Sequence, residues 1–270
     1  MKAKSGHFLS FFSNKIAALV LYGTIGKRGD DGLSLDSLND NIEKAFSIKG
    51  LRAVFLLINS PGGSPVQSEL IASKIRLLAD KKNVIVYSFI EDLGASGGYW
   101  LACAGDKIFA TKNSIVGSIG VISSSFGLDK AISKLGIERR TYTQGKNKSL
   151  LDPFLPENDE GKKMIKRIQE KIHNSFINYV KNRRGGKLSN NKTELFDGSV
   201  WTGEEAKELG LIDDIKDFFS FKEENFPQNT TIKFIKKKES WIKKKLGADF
   251  SFLSSLIEIF CRLFSNKTIQ

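Results

Sequence analysis

Apolar positions along this chain follow two periods. Ile16–Tyr22, Ala53–Ile58 and Val84–Ile90 are short, nearly uninterrupted apolar runs, and Lys107–Ala110 and Val116–Ile122 also read as short strands. Between them lie segments with apolar residues at helical spacing. In Ser34–Phe46 the stripe is Leu35, Leu38, Ile42 and Phe46, and Gln67–Leu78 has a similar pattern. Continuous apolar runs bounded by turn residues predict strands buried on both faces, and the 3.6-residue stripes predict helices. Alternation of the two predicts an α/β fold with parallel sheets.

Further along, a helix is expected over Leu128–Leu135 and a strand over Arg139–Thr143. A long helix should run from Glu160 to about Arg183, with Ile165, Ile168, Ile172, Phe176 and Val180 on its stripe and Gly185-Gly186 closing it. The segment "LFDGSVWTGEEAKELGLIDDI" predicts a turn, a short helix capped near Thr202 and a last strand. The composition then changes. "FKEENFPQNTT" reads as a linker, "IKFIKKKESWIKKK" as a lysine-rich stretch, and Phe250–Phe264 as an apolar helix too short to span a bilayer. The expected division is a domain over 1–220 and an extension over 221–270 that packs on the protein itself or on a neighbouring subunit, or lies on a membrane surface.

Composition narrows the function classes. The chain has 270 residues, and 42 basic against 30 acidic side chains give a net charge of +12. A basic balance suits nucleic acid or an anionic membrane, but no zinc-finger spacing or RRM-like signature accompanies it, and no nucleic-acid partner is expected. Two distant cysteines, Cys103 and Cys261, argue against a disulfide framework and suit a reducing compartment. No stretch of 18 apolar residues occurs. A cytoplasmic location is expected, with no metal and no cofactor.

Two glycine loops carry the candidate chemistry. "INSPGGS" leaves one predicted strand and "GASGG" leaves the next. In open α/β sheets the working loops lie at these carboxyl ends. Glycine lets backbone approach a ligand, and the first N–H groups of a helix have no internal partner. The N–H groups of Gly63 and Gly97, converging beside the Ser96 hydroxyl, would form an oxyanion hole.

A serine nucleophile needs a base. The chain has two histidines, His7 in a polar N-terminal stretch and His173 at the edge of the long helix's stripe. Neither has an evident orienting partner, so a Ser-His-Asp triad is poorly supported. A lysine serves when burial or nearby positive charge lowers its pKa. Lys146 and Lys148, in "TYTQGKNKSLLDPF", are candidates.

The blocks "LLINSPGGSPVQSELIASKIR", "FIEDLGASGGYWLACAGDKIFATKNSIVGSIGVI" and "GKNKSLLDPF" together resemble the signal peptide peptidase A family of serine–lysine peptidases. The short, single-domain form without the usual membrane anchor is the nearest match, and the likeness runs from about Ile16 to Ile215. It implies a crotonase- or Clp-protease-like superhelix of ββα units. It also implies Ser96 as nucleophile, Lys148 as base, and the Gly63 and Gly97 N–H groups as oxyanion donors. Ser149 stands where the family often has aspartate. The implied activity is hydrolysis of hydrophobic peptides, such as cleaved signal peptides or misfolded fragments. The implied assembly is a homo-oligomer whose sites are completed across subunit interfaces. The alternative is a non-catalytic or acyl-CoA-processing member of the crotonase-like fold.

Overall fold

A computed structural model describes residues 14–26, 32–189 and 194–237. Its elements in chain order are β1 (Lys15–Tyr22), β2 (Thr24–Ile25), β3 (Gly32–Leu33), α1 (Leu35–Phe46), β4 (Leu51–Ser60), α2 (Pro65–Lys82), β5 (Ile85–Ala95), α3 (Gly97–Ala102), β6 (Lys107–Ala110), β7 (Ile115–Gly117), α4 (Asp129–Lys134), α5 (Asp159–Arg184), β8 (Val200–Thr202), α6 (Gly203–Glu208), β9 (Asp214–Ile215), α7 (Phe218–Asn225) and β10 (Thr231–Ile235).

Strands β10-β1-β4-β5-β6-β9 form a parallel sheet in that order. Strand β5 has two partners on one side. Tyr87–Ile90 pair with β6, and Leu93–Ala95 pair with β7, which in turn pairs antiparallel with β8. The carboxyl end of β5 therefore diverges from β6 while still pairing with β4 at Gly94, and carries the chain to residue 96.

Strand periodicity builds two cores. On β1 and β4, Ala17, Leu19, Leu21, Val54, Leu56 and Ile58 face the layer of α1, α2 and α3. The alternate residues Ile16, Ala18, Phe55 and Leu57 face the other side, where Phe89, Phe109 and the α7 residues Phe218 and Phe221 complete an aromatic cluster. Burying one such side chain contributes about 1.5–3 kcal/mol, so both faces stabilise the sheet that positions the loops.

Helix starts follow local chemistry. Ser34 caps α1 and Ser64 caps α2, the latter followed by Pro65 in the first turn. Asn158 caps α5, and Gly185, at φ 55°, ends it. Thr202 and Glu205 form a capping box on α6.

Three expectations need correction. The strand foreseen over Val116–Ile122 is only Ile115–Gly117, because Gly117 (φ 110°) and Ser118 (φ 51°) turn the chain out of extended geometry. Arg139–Thr143 is irregular and exposed, with no strand to pair against among the described residues. The stretch read as a linker holds α7, and "TIKFI" is the edge strand β10, parallel to β1 with Ile16 opposite Ile232. Its lysines hid the pattern: Ile232 and Ile235 pack against opposite cores while Lys233 lies between them. Phe250–Phe264 falls outside the described residues. Among the described residues no helix is long and apolar enough to cross a membrane.

Candidate active site

Ser96 occupies the sharp junction between β5 and α3, at φ 53° and ψ −122°. Three non-glycine residues have positive φ among those described: Asn83, Ser96 and Ser118. Asn83 is an ordinary left-handed helix terminus. Ser96 has no such excuse, and a residue held in sparsely populated backbone space costs on the order of 1–3 kcal/mol. Two backbone bonds hold it there. Its N–H donates to the Gly117 carbonyl at 2.8 Å, and its own carbonyl accepts the Trp100 N–H at 3.0 Å. Unlike the capping serines 34 and 64, its hydroxyl makes no bond to the helix it begins, which leaves Oγ available.

The second glycine loop lies against this junction. A Cβ on Gly62 would sit 2.6 Å from the Gly97 nitrogen and 2.8 Å from the Ser96 Cβ, so only glycine permits the approach. A Cβ on Gly63 would overlap the Ile25 carbonyl. That contact is a bridge: Ile25 N–H donates to Gly62 O at 2.8 Å and Ser64 N–H to Ile25 O at 2.9 Å. The bridge uses the groups on either side of the Gly63 N–H and leaves that N–H without a partner among the described residues, as is the Gly97 N–H at the start of α3. Ser60 Oγ donates to Gly23 O at 2.7 Å and accepts the Gly62 N–H at 3.2 Å, tying the loop to the turn after β1. Gly63, Ser96 and Gly97 line one small cavity with Trp100, Val121 and Phe176. Its volume of about 20 Å³ has room for roughly one water.

The helix behind Ser96 is firmly anchored. Trp100 stacks on Phe176 and Tyr179 of α5, with centroids at 4.7 and 5.2 Å. The Tyr99 hydroxyl donates to Leu211 O at 2.7 Å. Burial pushes the Tyr99 phenol well up and the Cys103 thiol to about 12, so neither ionises near neutrality. Among the described residues no group of three or more His, Cys, Asp or Glu could hold a metal ion.

The candidate bases are placed very differently. Lys148 lies exposed in a turn, its N–H on Gly145 O at 3.0 Å, and makes no ion pair among the described residues. No hydrogen bond joins it to Ser96 among the described residues. Lys146 is exposed and 3.6 Å from Glu160. His173 Nε2 lies 3.0 Å from the Ile119 carbonyl; an oxygen of that kind only accepts, so Nε2 carries the proton. His7 is outside the described residues. Ser60, the Tyr99 anchor and the His173 contact had no signal in the sequence, because each acts on backbone remote along the chain.

Residues 76–224 match Peptidase family S49. This chain belongs to that family. A Na(+)/H(+) antiporter NhaA of Brucella melitensis is 46% identical over 235 residues, covering 86% of this chain and 32% of that protein. The chain thus spans about a third of that longer relative. A putative protease of Methanocaldococcus jannaschii is 40% identical over 180 residues, covering 66% of this chain and 56% of the relative. Among solved structures, a variant of the 1510-N membrane-bound stomatin-specific protease aligns with a TM-score of 0.52 at 16% identity, covering 82% of this chain and 97% of the other. A second variant, in complex with a substrate peptide, aligns at 0.50 and 15% identity, covering 87% and 96%. At such identities the likeness concerns the fold, and the Clp-protease-like α/β class implied by the signal peptide peptidase A resemblance is the one observed.

Proposed function

We propose that this S49 member is a serine endopeptidase in which Ser96 attacks the scissile carbonyl, Lys148 takes its proton, and the Gly63 and Gly97 N–H groups receive the oxyanion. The observation that carries the reading is the strained, positive-φ backbone of Ser96, with an unengaged hydroxyl beside two unpartnered N–H groups. Preorganised donors beside a nucleophile are the arrangement acyl transfer requires. Lys148 arrives from a neighbouring subunit of a homo-oligomer. The exposed arm that bears it, with Ile122 at 88%, Phe126 at 83% and Tyr142 at 92% exposure, supports such a contact.

The apolar walls Trp100, Val121 and Phe176 favour hydrophobic peptides, such as cleaved signal peptides or fragments of misfolded proteins. We place the protein on the cytoplasmic side, in peripheral contact with the inner face of the membrane through the segment Phe250–Phe264. Both structural neighbours are variants of a protease described as membrane-bound. The deciding experiment is labelling with a fluorophosphonate, followed by peptide mapping. Adduct on Ser96, absent from Ser96→Ala, is expected; a folded protein that carries no adduct on Ser96 ends the reading.

A further inference from the structure

Gly120 and Val121 line the small cavity beside Ser96, and three hydrogen bonds hold residues 117–119 that lead to them. Gly117 O accepts the Ser96 N–H at 2.8 Å, and Ser118 N–H donates to Ser199 O at 2.7 Å. Ile119 O accepts from His173 Nε2 at 3.0 Å. Ser118, at φ 51°, is one of the three non-glycine positive-φ residues described, and it lies where these tethers converge. Strain of this kind persists only where the surroundings over-determine the backbone. Gly120 and Val121 then line the cavity, after which none of residues 121–158 is buried. The imidazole is therefore the last tether before the chain leaves the body of the protein. It comes from α5, whose Ile172 and Phe176 line the same cavity from the other side.

We propose that His173 is a positioning residue for the serine site. By holding the Ile119 carbonyl it fixes the spacing between the Gly120–Val121 wall and the Ile172–Phe176 face, and so sets the width of the space a peptide must enter beside Ser96. This rests on reading Ser96 as the nucleophile. The Ser96 elbow itself is held by Gly117, Trp100 and the Ile25 bridge, none of which involves His173. The imidazole thus acts on peptide fit and leaves the intrinsic reactivity of the serine unchanged.

The test compares His173→Leu, which removes the donor, with His173→Gln, whose amide N–H restores one. Each is measured in the full-length protein for Ser96 labelling by a small fluorophosphonate and for KM and kcat on a hydrophobic peptide. Loss of one hydrogen bond predicts a rise in KM of about three- to tenfold in His173→Leu. The labelling rate and kcat should stay within about threefold of wild type, and His173→Gln should recover most of the KM. If the leucine variant does not fold, His173→Asn, whose amide is too short to reach Ile119, should show the same rise. An unchanged KM, or an equal loss in the glutamine and donor-less proteins, overturns the inference while Ser96 still labels. Absence of labelling in the wild type instead overturns the nucleophile reading beneath it.

Discussion

The segment around Ser96 and the segment around Lys148 are built in opposite ways. Of the residues from Gly94 to Ala104, all but Ser96 itself are buried, and every turn is pinned by backbone bonds, aromatic stacking or a buried hydroxyl. From 121 to 158 no residue is buried, although Ile122, Phe126 and Tyr142 are large and apolar. One region can store backbone strain because its surroundings leave it no alternative. The other has too little packing of its own to define a catalytic position. A site that needs both is precise on one side only until something covers the arm. On the proposed reading, a second copy of the chain does so.

The largest expected effects break the two halves separately. Ser96→Ala should abolish peptide hydrolysis, by several orders of magnitude in kcat, with an unchanged circular dichroism spectrum, because members of a catalytic unit act together. Lys148→Ala should be nearly as inactive, though its side chain makes no ion pair among the described residues of its own chain. Mixing the two dead proteins then sharpens the comparison. If the lysine crosses an interface, some pairings join an intact serine to an intact lysine, and partial activity returns. No recovery despite demonstrated subunit exchange would mean that the arm folds back onto its own Ser96.

A second group of substitutions tests the anchoring of the rigid half. Arg184 is buried, and its guanidinium donates to Asp213 Oδ2 at 2.7 Å; Lys187 donates to Oδ1 at 2.7 Å. Asp213 also accepts the Ile108 N–H at 2.8 Å, so it fastens the 211–213 loop, on which Tyr99 depends, to β6. Asp213→Ala leaves a buried guanidinium without its carboxylate and should cost about 3–5 kcal/mol, read by chemical denaturation. The pH dependence follows from the same contacts. Burial alone would raise the Asp213 pKa, but the bonds from Lys187, Arg184 and Ile108 outweigh it and hold the carboxyl below its ordinary range. A depressed carboxylate stabilises the fold at and above the usual aspartate pKa of about 3.9, and that stabilisation is lost as pH falls through the lower folded value. Wild type should therefore lose stability in acid more steeply than Asp213→Ala, below about pH 4.

How much of this the sequence disclosed follows the same division. The strands and helices under Ser96 were legible because burial on both faces leaves continuous apolar runs, and because Thr202 and Gly185 mark helix ends by local chemistry. The two glycine loops were legible because close approach of backbone demands the residue type. The arm was not. Arg139–Thr143 resembled a strand only in composition, and no partner exists for it among the described residues. Strand β10 was masked by lysines that an edge strand can point to solvent. The Ser118 geometry and the His173 contact arise from residues far apart in sequence, joined by backbone carbonyls that carry no side-chain signature.

The smallest expected effect on the isolated chain separates packing from assembly. Tyr142 is 92% exposed and touches neither core, so Tyr142→Ser should change the stability of a single subunit by no more than about 0.5 kcal/mol. By contrast, Phe55→Ala, at a fully buried position in the aromatic cluster, should cost about 3–5 kcal/mol. If the arm is covered by a second copy, Tyr142→Ser should still lower peptide hydrolysis and shift the protein toward smaller species in analytical ultracentrifugation, and activity should recover as protein concentration is raised. Fluorophosphonate labelling of Ser96 should persist in the dissociated species only to the extent that Lys148 is dispensable for the reagent. A Tyr142→Ser protein with wild-type mass and wild-type turnover would show that the arm's apolar residues do not form the contact that brings the lysine in, and the search for that contact would move to Ile122 and Phe126.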